Sequence, residues 1–170
     1  MLSVSSSPAR PSPEPEVIAI ACDHAGFGLK REIIKLLKEL KAPVTDLGCA
    51  SAEESVHYPF YGKKVVDALI TRPNARGILI CGTGLGMSIL ANRFAGIRAA
   101  LCHDLFTAMM SRRHNNSNVL VMGDRVIGPD LAREIVRVWL TTPFDGGRHQ
   151  ERLELLEQLA QEGHTATGKN

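Results

Sequence analysis

Short β-branched runs alternate with amphipathic segments along most of the chain, and this alternation limits the folds that it can adopt. Residues 17–22, VIAIAC, form an uninterrupted apolar run of the length expected for a strand buried on both faces. The segment from Leu29 to Leu40 follows, with Ile33 and Leu37 at helical spacing and lysines on the opposite side. Strands that alternate with helices build βαβ units, which need a mostly parallel sheet covered by helices on both faces.

The alternation continues to the end of the chain and defines one domain. It predicts further strands at residues 44–48, 77–81, 97–102 and 118–123, and further helices at residues 58–70, from the turn at 82–86 to 93, and at 104–114, 129–140 and 148–161. We therefore predict a single α/β domain over residues 17–162, a three-layer Rossmann-like fold with a five-stranded, mostly parallel sheet.

The two ends of the chain differ from this domain in composition. Residues 1–16 contain five Ser and four Pro, and such a segment buries little surface and interrupts backbone hydrogen bonding. We predict a disordered leader there and a flexible tail over residues 163–170. The sequence contains no apolar run of the length that a signal peptide or a membrane span needs.

Charge and cysteine content argue against several classes of protein. The formal net charge is only +2 over 170 residues, whereas nucleic-acid and membrane-surface binders usually carry a large positive excess. None of the four cysteines, Cys22, Cys49, Cys81 and Cys102, stands in a CxxC pair that would indicate a zinc ribbon. Free thiols in a reducing compartment are the simplest interpretation, so we expect a cytoplasmic protein without nucleic-acid or membrane partners.

Residues capable of chemistry cluster near the predicted strand ends. Ligands of parallel sheets bind at the carboxyl ends of the strands, so we expect these residues to meet at that edge. They are Asp23 and His24 after the first strand, Cys81 and the turn GTGLG (82–86) at the third, His114 and Asn115 before the fifth, Arg125 after it, and Arg148 and Arg152 in the last helix.

The turn GTGLG allows three interpretations. Its glycines let backbone N–H groups approach an anion closely, as in a phosphate or oxyanion cradle at a helix N-terminus. A tight turn with a purely structural role is the second. Dinucleotide binding is the third and is disfavoured, because Met87 stands where the last glycine of G-x-G-x-x-G belongs, although Asp104 follows at a suitable distance.

The cysteine and the arginines near the predicted site also remain open from the residues alone. Cys81 is either a small core residue or a reactive thiolate, since backbone donors and a helix N-terminus follow it. Arg148 and Arg152 lie one helical turn apart on one face. That face suits a phosphate, which accepts bidentate hydrogen bonds from arginine, or a solvated surface paired with nearby glutamates.

Three further polar residues have structural alternatives. Asp23 and His24 are typical of an acid–base pair, a metal pair or a helix cap with an exposed neighbour. The metal reading is the weakest because no third ligand is apparent, and we predict no metal site. His114 ends a predicted helix, and the helix dipole favours a protonated imidazole there. This histidine is either a catalytic acid or an ordinary surface residue.

Four long segments carry most of these residues: IACDHAGFGLK (20–30), GILICGTGLGMSILANRFAGIRAAL (77–101), SRRHNNSNVLVMGDRVIG (111–128) and FDGGRHQERL (144–153). In this order they closely resemble the type B ribose-5-phosphate isomerases, a family that shares its fold with the galactose-6-phosphate isomerases. The resemblance runs from about residue 17 to 161. It implies interconversion of ribose 5-phosphate and ribulose 5-phosphate through an enediolate, without a cofactor.

The resemblance also implies roles for individual residues. Cys81 resembles the general base of one branch of the family, whereas the other branch uses a Glu at the position of Met87. His114 resembles the acid that opens the furanose ring, and Thr83 with the backbone of 82–86 resembles the enediolate cradle. The positions that match substrate-binding residues are Asp23, His24, Gly82, Gly84, Leu85, Gly86, Asn115, Arg125, Arg148 and Arg152, of which the three arginines match the phosphate site.

One departure from the family pattern bears on substrate preference. The family commonly has Asp-Tyr-Pro where this chain has His57, Tyr58 and Pro59. Isomerisation of galactose 6-phosphate or allose 6-phosphate is therefore kept as an alternative. Two other classes of function also remain open, a non-catalytic phosphosugar-binding regulatory module and a nucleotide-dependent oxidoreductase. Family members complete each site with a neighbouring subunit, so the resemblance implies a homodimer or homotetramer.

Overall fold

The computed structural model describes residues 17–72 and 74–167, with side chains to residue 162. The predicted leader and residues 168–170 of the predicted tail lie outside the described residues. The elements in chain order are β1 (Ile18–Cys22), α1 (Phe27–Glu39), β2 (Val44–Asp46), α2 (Tyr58–Thr71), β3 (Arg76–Cys81), α3 (Leu85–Ala91), β4 (Ala99–Leu101), α4 (Leu105–Asn115), β5 (Val119–Gly123), α5 (Pro129–Thr141) and α6 (Arg148–Thr167).

The five strands form one sheet in the order β2-β1-β3-β5-β4, and every pairing within it is parallel. This confirms the predicted five-stranded α/β fold. The register places Cys22 opposite Ile80 and Cys81 opposite Gly123, so the carboxyl ends of the three central strands lie side by side. A ligand at that edge contacts the loops after β1, β3 and β5 together.

Helices cover both faces of the sheet, as the predicted three-layer fold requires. Ile78 and Ile80 of β3 belong to one buried cluster, which includes Leu36 of α1 and Trp139 of α5. The alternate residues of β3, including Cys81, belong to a second cluster with α2 and α3. Because successive strand side chains point to opposite faces, β3 supports two cores at once.

The structure departs from the predicted boundaries mainly at the sheet margins and at the last helix. Strands β2 and β4 have three residues each, shorter than predicted, because an edge strand finds a hydrogen-bonding partner on one side only. Helix α6 continues to Thr167, beyond its predicted end near residue 161. Within residues 17–72 and 74–167, no helix combines the length and the apolar character needed to cross a bilayer.

Candidate active site

The Cys81 thiol lies at the carboxyl edge of the sheet and accepts a hydrogen bond from the backbone. It is the last residue of β3 and is 5% exposed. The N–H of Gly84 donates to its Sγ at 3.2 Å. Amide donors stabilise a thiolate, so this buried cysteine has a polar environment that a core residue does not need.

The backbone at Gly84 explains why this donor points at the sulfur. Gly84 has φ +80°, a left-handed conformation that side chains disfavour. A Cβ at this position would also lie only 3.1 Å from the backbone carbonyl of Met122. Only glycine therefore allows the turn to close under the thiol and direct its amide there.

The loop after β5 forms one wall of this site. The Arg125 N–H donates to the Gly82 carbonyl at 3.0 Å, and its guanidinium lies over Gly82, whose Cβ would be 3.6 Å from the Arg125 Cζ. A Cβ on Gly123 would come within 2.6 Å of the Thr83 carbonyl carbon. Thr83 and Leu85 are exposed at the tip of the turn, so both are accessible to a ligand.

The loop after β1 brings Asp23 and His24 to the same edge. Asp23 is buried, and its carboxylate accepts the Gly26 N–H at 3.1 Å, which makes it the cap of a short 3-10 turn before α1. His24 Nδ1 accepts the Val56 N–H at 3.2 Å. In the neutral ring this bond places the proton on Nε2. His24 therefore links the segment that follows β2 to the end of β1.

The His57–Tyr58 pair opens α2 beside the turn. A Cβ at Gly86 would come within 2.6 Å of the Tyr58 ring, so Tyr58 lines the site against that glycine. His57 is the N-cap of α2 and makes no side-chain capping hydrogen bond. Its ring instead packs edge-on to Phe60 at a centroid distance of 6.3 Å. The histidine thus leaves the helix start without the acceptor that an aspartate would supply.

We expect His57→Asp to raise the free energy of unfolding by about 1 kcal/mol. A carboxylate at an N-cap accepts a hydrogen bond from a backbone N–H, and its negative charge interacts favourably with the positive end of the helix dipole. Pro59 has no N–H, so the Phe60 N–H is the donor that the new carboxylate would accept from. Urea denaturation of both proteins measures the difference. His57→Asn, which also caps but carries no charge, is the matched control, and a loss of stability in both variants would contradict the assignment.

Asp124 is a site residue that sequence reasoning missed. Its N–H donates to the Cys81 carbonyl at 3.0 Å, and its carboxylate accepts the Leu29 N–H in the first turn of α1 at 3.2 Å. A Cβ on Gly28 would meet the same carboxylate at 3.5 Å. Asp124 therefore joins the loops after β1, β3 and β5. Its place directly after a predicted buried strand was the available signal.

We expect Asp124→Ala to lower the free energy of unfolding by about 1–2 kcal/mol, because α1 loses an acceptor near its N-terminus. Asp124→Asn keeps an oxygen acceptor and is expected to lose less. Paired urea denaturation curves give the ranking. Equal losses in the two variants would show that the hydrogen bond to Leu29 does not hold the loop.

His103, after β4, is a second residue that sequence reasoning did not assign. Its Nε2 accepts the Gly123 N–H at 3.1 Å, which helps to fix the strand end that packs on Thr83. Burial lowers the pKa of His103 below its ordinary value of 6.5. Its contribution to stability is therefore complete above that value and is lost as the pH falls towards the lower pKa of the folded state.

The other predicted site residues form a second group near the start of α6. The rings of His114 and His149 are stacked, with centroids 4.2 Å apart and planes 7° apart. Arg113 pairs with Asp145 at 3.0 Å, and its guanidinium lowers the pKa of that carboxyl. Burial lowers the pKa of His149, and the neighbouring His114, Arg148 and Arg152 lower it further.

The charges of this second group suit an anion. His114, Asp145 and His149 place possible metal-ligand atoms within 4.8 Å of one another. However, Asp145 is already paired with Arg113, and the nearby guanidiniums oppose a divalent cation. A phosphate matches such a cluster of cations better, as predicted for Arg148 and Arg152.

Buried polar contacts fix the end of α4 that carries His114. Asn116 ends the helix in the left-handed region at φ +44°. The hydroxyls of Ser111 and Ser117 are 2.9 Å apart, and Trp139 Nε1 donates to Ser117 at 2.8 Å. The packing of α4 on α5 thus fixes the position of the helix end that carries His114.

The two groups lie at opposite edges of the sheet. Cys81 pairs with Gly123 at the carboxyl edge, whereas the Asn118 N–H donates to the Arg98 carbonyl at the amino edge, close to His114. Five residues of β5 separate the two edges, roughly 13 Å at the usual rise of a strand. The expectation that all these residues meet at the carboxyl edge is therefore wrong within one chain. A helix that follows a parallel strand runs back across the sheet, so α4 and α5 both end at the amino edge. Four predicted site residues therefore lie there: His114 and Asn115 at the end of α4, and Arg148 and Arg152 in the helix that follows α5.

Comparison with known proteins identifies the class. The chain is 48% identical over 144 residues to the ribose-5-phosphate isomerase B of Escherichia coli, which covers 85% of this chain and 96% of that protein. It is 42% identical over 137 residues to the D-erythrulose-4-phosphate isomerase of Pectobacterium atrosepticum, covering 81% and 90%. The solved structure of Clostridium thermocellum ribose-5-phosphate isomerase B matches with a TM-score of 0.83 and 47% identity, covering 86% and 98%. The fold and these relatives make the protein a sugar-phosphate isomerase.

The family follows from a match over most of the chain. The sequence pattern of the Ribose/Galactose Isomerase family matches residues 18–156. The chain belongs to this family, which confirms the resemblance seen in its motifs.

Proposed function

We propose that the protein interconverts ribose 5-phosphate and ribulose 5-phosphate, with Cys81 as the general base. The observation that carries this proposal is the buried thiol that accepts the Gly84 N–H at 3.2 Å. Isomerisation removes a proton next to a carbonyl and returns it to the adjacent carbon, which needs a base and donors for the enediolate. A thiolate beside the amides of residues 82–86 supplies both, and the chemistry needs no redox cofactor.

Ring opening and phosphate binding are assigned to the second group. His114 is the proposed acid that opens the furanose ring, with Asn115 beside it. Arg148 and Arg152 hold the phosphate, so that binding energy remote from the reacting carbons positions them at the base. Arg125 at the other edge is the third proposed phosphate ligand.

These roles require two copies of the chain, since one chain keeps Cys81 and His114 at opposite edges. We propose a homodimer, or a tetramer built from such dimers, in which the carboxyl edge of one subunit meets the amino edge of its partner. The exposed apolar side chains Leu155, Leu156 and Leu159 of α6 support a contact between subunits. The four free cysteines support the proposed cytoplasmic location.

A substrate panel tests the proposal. Purified protein is assayed with ribose 5-phosphate, D-erythrulose 4-phosphate, allose 6-phosphate and galactose 6-phosphate, each with and without a chelator. We expect the highest kcat/KM with ribose 5-phosphate and no effect of the chelator. A higher kcat/KM with a four- or six-carbon sugar would overturn the substrate assignment, and binding without turnover of any sugar would indicate a regulatory module.

A further inference from the structure

Two buried cysteines outside the proposed catalytic machinery are in contact. Cys22 ends β1 and Cys49 follows β2, and their Sγ atoms are 3.7 Å apart. Cys22 has no exposed surface and Cys49 is 3% exposed. This pair is separate from Cys81, which lies on the other face of the sheet.

A backbone hydrogen bond joins the two residues and holds their strands together. The Cys49 N–H donates to the Cys22 carbonyl at 3.1 Å, which continues the parallel pairing of β1 and β2. Continuing the β1–β2 register places Cys22 opposite Gly48, so Cys49 lies one residue beyond the direct partner. At the usual strand spacing and rise, this diagonal is roughly 6 Å, within the range of about 4.4–6.8 Å between the Cα atoms of a disulfide. Gly48 permits the close approach, since a Cβ there would come within 2.8 Å of the Cys22 nitrogen.

The surroundings favour reaction at Cys49 first. Cys49 begins a surface segment in which residue 50 and residues 52–55 are exposed, whereas Cys22 lies inside the sheet. Burial raises the pKa of the Cys22 thiol, and the Lys30 ammonium partly opposes this rise. Lys30 Nζ donates to the Cys49 carbonyl at 2.8 Å and pairs with the Asp46 carboxylate at 2.9 Å, so the ammonium is fixed beside the backbone of the cysteine pair.

We propose that Cys22 and Cys49 form a reversible intramolecular disulfide by exchange with a small-molecule disulfide. The Cys49 thiolate attacks one sulfur of the reagent and releases one thiol. The Cys22 thiol then loses its proton as its sulfur attacks the Cys49 sulfur of the mixed disulfide, which releases the second thiol. Two protons leave the protein, and its two thiols give two electrons to the reagent.

The cross-link fixes a segment that contacts the proposed substrate site. Cys22 directly precedes Asp23 and His24, and the segment that starts at Cys49 ends where the Val56 N–H donates to His24. A bridge at residue 49 adds a covalent constraint to this segment. We therefore expect slower hydrogen exchange across residues 50–56 in the oxidised protein.

The test is peptide mapping after incubation of the full chain with oxidised glutathione. We expect a Cys22–Cys49 linked peptide, a product lighter by two hydrogen atoms than the reduced protein, and reversal by dithiothreitol. Cys49→Ser should abolish the link. Cys102→Ala, which removes a buried thiol elsewhere in the fold, should preserve it.

The outcomes separate this proposal from the chemistry of Cys81. Glutathione attached to Cys81 without any Cys22–Cys49 peptide would overturn it, as would a link between Cys22 and another cysteine. The wild-type map gives this answer even where Cys49→Ser folds poorly. Unchanged exchange of residues 50–56 in the linked protein would remove the inferred effect on the segment. None of these readouts depends on isomerase activity.

Discussion

Cys81→Ala is expected to lower kcat for ribose 5-phosphate by about 10²–10⁴-fold, the range that a positioned general base contributes. Alanine removes the sulfur that accepts the Gly84 N–H but keeps the backbone of the turn, so substrate binding should persist. Initial-rate kinetics measure the loss. A rise in Tm on addition of ribose 5-phosphate, matching that of the wild type, shows retained binding.

Cys102→Ala is the matched control for this loss. It also removes one buried thiol, but from the opposite face of the sheet, where burial raises the pKa of Cys102 and keeps it protonated. Its kcat should equal that of the wild type. Turnover retained by Cys81→Ala would exclude Cys81 as the base, and an equal loss in both variants would attribute the effect to packing.

The fold and one half of the site were predictable because each rests on contiguous sequence. Buried strands such as 77–81 differ from amphipathic helices in period, so the βαβ alternation and the parallel sheet follow from the pattern. The thiol and the turn at 82–86 are adjacent in the chain. Their proximity therefore needs no knowledge of tertiary structure, although the bond from Gly84 to the sulfur depends on a backbone angle that the sequence does not state.

The remainder depends on where each connection ends in space. His114 lies close in sequence to β5, which is predicted to begin at Asn118 and begins at Val119 in the structure. It lies before the start of that strand, however, and the start of the strand is at the amino edge of the sheet. Asp124 contacts Leu29 across 95 positions of sequence, and the Cys22–Cys49 contact spans 27. Pairings of this kind arise from strand order, and the order β2-β1-β3-β5-β4 cannot be read from a local pattern.

Mixing Cys81→Ala with His114→Ala is expected to restore about a quarter of wild-type activity, although each variant alone should be nearly inactive on the cyclic sugar. If each site takes Cys81 from one subunit and His114 from its partner, a mixed dimer holds one intact site and one doubly defective site. Random exchange makes about half of the dimers mixed, and each has one working site of two. The measurement is the initial rate after joint refolding or co-expression of the two variants.

Cys81→Ala mixed with Asp23→Ala is the matched control, because both residues lie at the carboxyl edge of the same chain. Every site of that mixed dimer lacks one of the two groups, so the proposed arrangement predicts a rate no higher than the average of the two variants alone. Differently tagged subunits, purified through both tags, show that mixed dimers have formed. The roughly 13 Å of strand between the two edges keeps Cys81 and His114 of one chain out of a common site, so the proposal requires that they meet across two subunits. Mixed dimers of Cys81→Ala and His114→Ala without activity would therefore refute the shared site.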